Sequence, residues 1–123
     1  MGWEFDSSRP IYLQLVDTLR LRIISGKDQP GERLPSVREL AADAGVNPNT
    51  MQRALSELEH EGLVFTQRTS GRFITTDRAV LESAKQSAAR EITASWLSQL
   101  KELGLTGKDA YTYALQAMEH KEE

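Results

Sequence analysis

No cysteine occurs in the 123 residues. That absence excludes disulfides, thiolate metal sites and a cysteine nucleophile together. Histidine is nearly as scarce, with only His60 and His120. There is no His pair at i, i+4 to hold a metal, and no carboxylate or hydroxyl is spaced beside either residue to act as base or nucleophile. His60 with Glu57 and Glu61 reads as a solvated helix end. Catalysis, a metal and a cofactor are therefore not expected. Long apolar runs are missing too, and none approaches the roughly 18 residues needed to span a bilayer. The opening MGWEFDSSRP lacks the basic-then-apolar order of an export signal, so the cytoplasm is the expected compartment. A strong charge of either sign is also absent. The net charge is −3, and a small negative excess falls both on residues 1–77 and on the remainder. An acidic chain can still present one basic face, so the placement of the arginines matters more than the sum.

What is present centres on GVNPNTMQRALSELEHEG, residues 45–62. Asn47 is suited to cap a helix, and Pro48 at the first helical position gives up only an N–H that would be unpaired anyway. Gly62 stops the helix. Met51, Ala54, Leu55 and Leu58 recur at i, i+3, i+4, i+7 and form one apolar stripe. Asn49, Gln52, Arg53, Ser56 and His60 fall on the other side. Amides and a guanidinium near a helix N-terminus can make bidentate contacts to adenine and guanine edges.

The segments around it complete a pattern. Residues 1–9 read as an irregular lead-in anchored by Trp3 and Phe5. A helix is expected from Pro10 to about Ser25, with Tyr12, Leu15, Val16, Leu19 and Ile23 as its buried stripe. KDQPGERLP then reads as a loop. Ser36 and Glu39 have capping-box spacing, and Val37, Leu40, Ala41 and Ala44 make the inner face of a second helix. Gly45 serves as its left-handed cap, so the second and third helices form a helix-turn-helix. In LVFTQRTSGRFITT, Phe65, Thr66, Phe73, Ile74 and Thr75 favour strands around an RTSG turn whose positive φ falls to Gly71. From about Arg78 a helix of roughly 25 residues is expected, with Leu81, Ala84, Ala88, Ile92, Trp96, Leu100 and Leu103 in one stripe. Gly104 interrupts it. Thr106 and Asp109 cap a last helix to about His120, apolar at Ala110, Tyr111, Ala114, Leu115 and Met118.

The expected fold is thus mainly α with a small β-hairpin: a winged helix-turn-helix over residues 1–77, then two helices over 78–123. Two helices of this size enclose no core of their own. Leu81, Ala88, Ile92, Trp96, Leu100, Leu103, Tyr111, Ala114, Leu115 and Met118 are therefore assigned to dimerisation with a second copy. Trp96, Tyr111 and Tyr113 could instead line an effector pocket in the dimer, but aromatics at helical spacing read first as interface core.

Residues 10–75 resemble the DNA-binding domain of the GntR family of bacterial transcription regulators. The resemblance rests on PIYLQLVDTLRLRIISG, on PGERLPSVRELAADAGVNPNTMQRALSELEHEGLV and on GRFIT. LPSVRELA, GVNPNT and the short two-helix tail resemble the YtrA subfamily. The resemblance implies DNA contacts by Arg38, by the loop arginine Arg33 and by Ser36 beside them. It further implies contacts by Asn47, Asn49 and Thr50 at the start of the recognition helix, by Gln52 and Arg53 one turn on, and by the wing tip Arg68, Thr69, Ser70, Gly71 and Arg72. Many relatives carry arginine where Pro48 stands, so that base contact is absent here, and the wing holds less glycine than is common. Subfamily relatives often control transporter operons.

The expected function is a homodimeric, sequence-specific repressor that binds double-stranded DNA at an inverted repeat. The alternative is a winged-helix module whose polar stripe binds protein. No small-molecule effector is identified by the sequence.

Overall fold

The first helix begins where Pro10 turns the chain, its carbonyl accepting from the amides of Leu13 and Gln14. The computed structural model describes residues 2–120. In it α1 spans Ile11–Ile24, α2 Val37–Ala44, α3 Pro48–His60, β1 Val64–Gln67, β2 Gly71–Ile74, α4 Arg78–Glu102 and α5 Gly107–His120. The fold is the expected winged helix-turn-helix followed by two helices. The chain divides into two compact units, Met1–Lys85 and Gln86–Glu123.

In the first unit the apolar stripes of three helices meet. Leu15, Val16, Leu19 and Ile23 from α1, Leu40 and Ala41 from α2, and Met51, Ala54, Leu55 and Leu58 from α3 are buried together with Leu34, Leu63, Val64 and Ile74. Burying each large aliphatic side chain contributes about 1.5–3 kcal/mol before chain entropy is counted. The short apolar faces of α2 and α3 are stable only as parts of this cluster. Trp3 and Phe5 pack on it as expected, their rings stacked at 6.1 Å, and the Trp3 indole N–H donates to Asp43 Oδ2 at 2.8 Å. Gln14 was not expected in the core, yet it is buried. Its amide donates to the carbonyls of Asp6 and Arg9, and its oxygen accepts from the Asp6 N–H. Every polar atom is used, which offsets the desolvation of the side chain and ties the lead-in to α1.

The capping box at α2 forms in both directions, between Ser36 and Glu39. The Ser36 backbone N–H, donating to the Glu39 carboxylate, is the main cause that holds that carboxyl below the ordinary glutamate value. Gly45 closes α2 at φ 73°, with its own N–H on the Ala42 carbonyl and the Val46 N–H on Ala41. Side chains with a Cβ rarely adopt that left-handed φ. It lets Asn47 start α3 two residues later, its Oδ1 accepting from the Asn49 N–H at 2.7 Å.

β1 and β2 pair antiparallel from Val64↔Ile74 to Gln67↔Gly71, leaving Arg68, Thr69 and Ser70 as the turn. Gly71 has the expected positive φ, 109°. The loop before α2 does more than connect. Arg33 forms a bridge with Phe73, Leu34 N–H donates to the Arg72 carbonyl, and Ile74 N–H donates to Glu32. The wing therefore has a third rung supplied from the loop.

The first compact unit extends past the wing into the first turns of α4, as far as Lys85. Val80, Leu81 and Ala84, in the first turns of α4, pack on the winged-helix core, so Leu81 serves that core. In the second unit α5 begins with reciprocal hydrogen bonds between Thr106 and Asp109, as expected, and Ala110 is buried. Ile92, Leu103, Tyr111 and Met118 are 62–74% exposed in the single chain.

Candidate nucleic-acid interface

The exposed side of α3 carries three rows set by the helical period. Asn49 and Ser56, seven residues apart, form the middle row. Gln52 and Glu59 form the row facing the hairpin, and Arg53 and His60 the row facing α1. Contacts fix these directions. The Glu59 carboxylate accepts from the Thr66 hydroxyl of β1 at 2.7 Å and lies 3.6 Å from Arg72 Nε of β2. On the other side, Arg53 Cζ sits 3.6 Å from the centroid of the Tyr12 ring in α1.

Each expected DNA-contact residue can now be placed. Asn49, Gln52 and Arg53 share the exposed face, with Gln52 Nε2 donating to Ser56 Oγ at 3.2 Å. Thr50 is half-buried beside them. Asn47 and Ser36 spend their side-chain oxygens on helix caps, which leaves the Asn47 amide N–H groups and the Ser36 hydroxyl proton as donors. Arg38 is exposed on α2. Arg33 folds against the hairpin, because a Cβ at Gly71 would lie 3.1 Å from its Nε. Arg33 and the exposed Arg68, Thr69 and Ser70 are thereby gathered at one end of the wing.

Arg72 departs from the group. Its side chain is 19% exposed, and its Nε is buried without a hydrogen-bond partner, facing Glu59 at a distance too long for one. The register explains this: Arg72 pairs across from Thr66, on the side of the hairpin turned to α3. Its charge braces the wing against α3.

The acids at the end of α3 are also engaged. Arg20 donates to both carboxylate oxygens of Glu61, at 2.9 and 2.6 Å, and to Asp17 at 3.1 Å. Hydrogen bonding to Arg20 is the main cause that holds the Glu61 carboxyl below its ordinary value, and the same bond raises the Arg20 guanidinium. Glu59 and Glu61, which sequence reading left as solvated charge, are used in tethering the wing and α1. The residues missed by sequence reading are thus Glu59 and Tyr12. Glu59 gave a faint signal in its seven-residue spacing from Gln52, and Tyr12 gave one as the only polar-tipped member of its stripe.

Among the described residues no group of three His, Cys, Asp or Glu could hold a metal, and no helix is long and apolar enough to cross a membrane.

Comparison with known proteins places these features. Residues 11–74 match the family of bacterial regulatory proteins known as the gntR family. The chain is 43% identical over 109 residues to YhcF of Bacillus subtilis, an uncharacterised HTH-type transcriptional regulator, covering 89% of this chain and 90% of that protein. It is 39% identical over 98 residues to the HTH-type transcriptional repressor YtrA of the same organism, covering 79% and 70%. Among solved structures, a GntR family transcriptional regulator from Listeria monocytogenes superposes with a TM-score of 0.85 at 35% identity, covering 91% of this chain and 98% of that one. The DNA-binding domain of AraR, solved in complex with an operator, superposes with a TM-score of 0.56 at 25% identity, covering 61% and 96%.

Proposed function

This chain belongs to the GntR family of bacterial regulatory proteins, and on that footing we infer that it acts as a homodimeric repressor bound to an inverted-repeat operator. It is a transcriptional regulator, not an enzyme, as its family and relatives are. The observation that carries the fuller reading is the exposed face of α3. Asn49, Gln52 and Arg53 stand clear of the core while the wing, with Arg33 folded onto it, is tied beside them through Glu59. A helix of this width fits the major groove, and amides at its N-terminal end can pair bidentately with adenine. Arg38 reaches from the preceding helix. The wing tip, Arg68 to Gly71, addresses the adjoining minor groove. Such a regulator works in the cytoplasm, with the DNA it reads.

The second copy docks on the second unit. Ile92, Trp96, Leu103, Tyr111, Leu115 and Met118 expose apolar surface there, and exposed apolar surface of this kind favours a partner. A two-fold dimer sets its half-sites one helical turn apart, roughly 10 bp, or a multiple of it. Selection of bound sequences from random duplex DNA, with light scattering of the free protein, tests both parts. A palindromic consensus and a dimeric mass are expected. An asymmetric single site bound by a monomer would overturn the dimeric reading.

A further inference from the structure

We propose that Arg53 is a phosphate clamp held in place by Tyr12, and that base discrimination on α3 belongs to Asn49 and Gln52. The proposal rests on the reading of α3 as the DNA-reading helix and deepens it by dividing its face.

The geometry begins with the 3.6 Å between Arg53 Cζ and the Tyr12 centroid. At that distance the guanidinium must lie nearly parallel to the ring, since an edge-on approach would drive a nitrogen into it. The ring therefore takes the face of the guanidinium and leaves its in-plane N–H donors unused. Arginine otherwise loses considerable rotamer freedom when it binds. Here stacking has already selected the conformer, and the attraction of the cation to the ring holds it.

The direction of that conformer decides what it meets. Arg53 leans from α3 toward the start of α1, away from the helix axis and away from the wing. Gln52 starts from the opposite flank, in the row of Glu59, but its amide is turned onto the middle row, where Nε2 donates to Ser56 Oγ at 3.2 Å. Asn49 lies between them, farthest from the core. When a helix enters the major groove, its outermost residues face the base edges and its flanks face the backbones that border the groove. Arg53 thus addresses the backbone on the α1 side, where a planar fork of donors suits two phosphate oxygens. Tyr12 is a positioning residue, acting through Arg53.

Titration of the selected operator, and of duplexes with each base pair changed singly, over a range of salt concentrations tests this. Arg53→Gln should weaken binding to all duplexes by the same factor and make the slope of log affinity against log salt shallower by about 0.9 per protomer. Tyr12→Leu should weaken binding about two- to five-fold, the size of an exposed cation–π contact, and Tyr12→Phe should restore it. In the Arg53→Gln background Tyr12→Leu should have no further effect, which also cancels any loss of fold common to both backgrounds. Relaxed discrimination at one base-pair position with an unchanged slope would make Arg53 a base reader and overturn the proposal. So would Tyr12→Phe as weak as Tyr12→Leu, or equal losses from Tyr12→Leu in both backgrounds. A wild-type chain with no preference for any duplex would sink the DNA reading itself, before any variant is compared.

Discussion

Arg38 stands exposed at the second position of α2, beside the capped start of that helix, so on the proposed reading its guanidinium would approach DNA from a rigid base. Replacing it with alanine should weaken specific binding by ~1–3 kcal/mol if it pairs with a base edge. A competition titration against random duplex checks this, because an equal loss on random DNA would show a phosphate contact only. Glu61 contributes to the acid response of the fold. Its carboxyl is held below the ordinary value by Arg20, and Arg20 stays charged throughout the accessible range. The pair therefore contributes fully above the ordinary glutamate range, and its contribution is lost as pH falls through the lowered value. The two side chains are 29% and 26% exposed, and solvent screening limits the pair to roughly 0.5–1 kcal/mol. Glu61→Gln should lower the neutral-pH melting temperature slightly and flatten its fall below about pH 4.5. Identical acid limbs for variant and wild type would show that the pair does not set this response.

At the scale of elements, the polar side-chain contacts between α3 and the wing converge on a single carboxylate. Glu59→Ala removes the acceptor of the Thr66 hydroxyl and leaves the half-buried Arg72 without its counter-charge. Amide exchange should accelerate across β1 and β2 while α1 stays protected, and uniform protection in the variant would show that the tether contributes nothing. The helices themselves were legible in the sequence because their signals are local. Asn47, Pro48 and Gly62 bound α3 within four turns, and the Ser36–Glu39 box starts α2. The wing was legible only in part. Its turn and Gly71 follow from RTSG, but the bridge from Arg33 to Phe73 joins residues distant in sequence, out of a segment whose prolines and glycine mark a loop. For the same reason Arg72 reads as a tip residue until the register with Thr66 turns it toward Glu59. In α4 the periodicity showed one continuous stripe, yet Leu81 and Ala84 pack on the winged helix while Ile92 is 70% exposed. A stripe reports that a face is apolar and does not say what covers it.

For the whole molecule, the engagement of Arg72 lowers the number of cations available to DNA. Of the arginines proposed to meet DNA, Arg33, Arg38, Arg53 and Arg68 remain in each protomer, so the proposed dimer would make at most about eight phosphate contacts, and log affinity should fall with log salt at a slope near −7 at the steepest. A measured slope shallower than about −3 would show that these arginines are not the footprint. The arginines proposed to meet DNA belong to a chain of net charge −3, several of whose acids are turned to internal bonds. The division into two units has a spectroscopic consequence. The chain has two tryptophans, and one falls in each unit. Trp3 is clasped to Asp43 on α2, and Trp96 is 37% exposed on α4. Removing either one leaves an intrinsic fluorophore confined to a single unit. Emission from Trp3 then follows events at the helix-turn-helix, and emission from Trp96 reports on the second unit, where docking of a second copy is proposed, without a label on either.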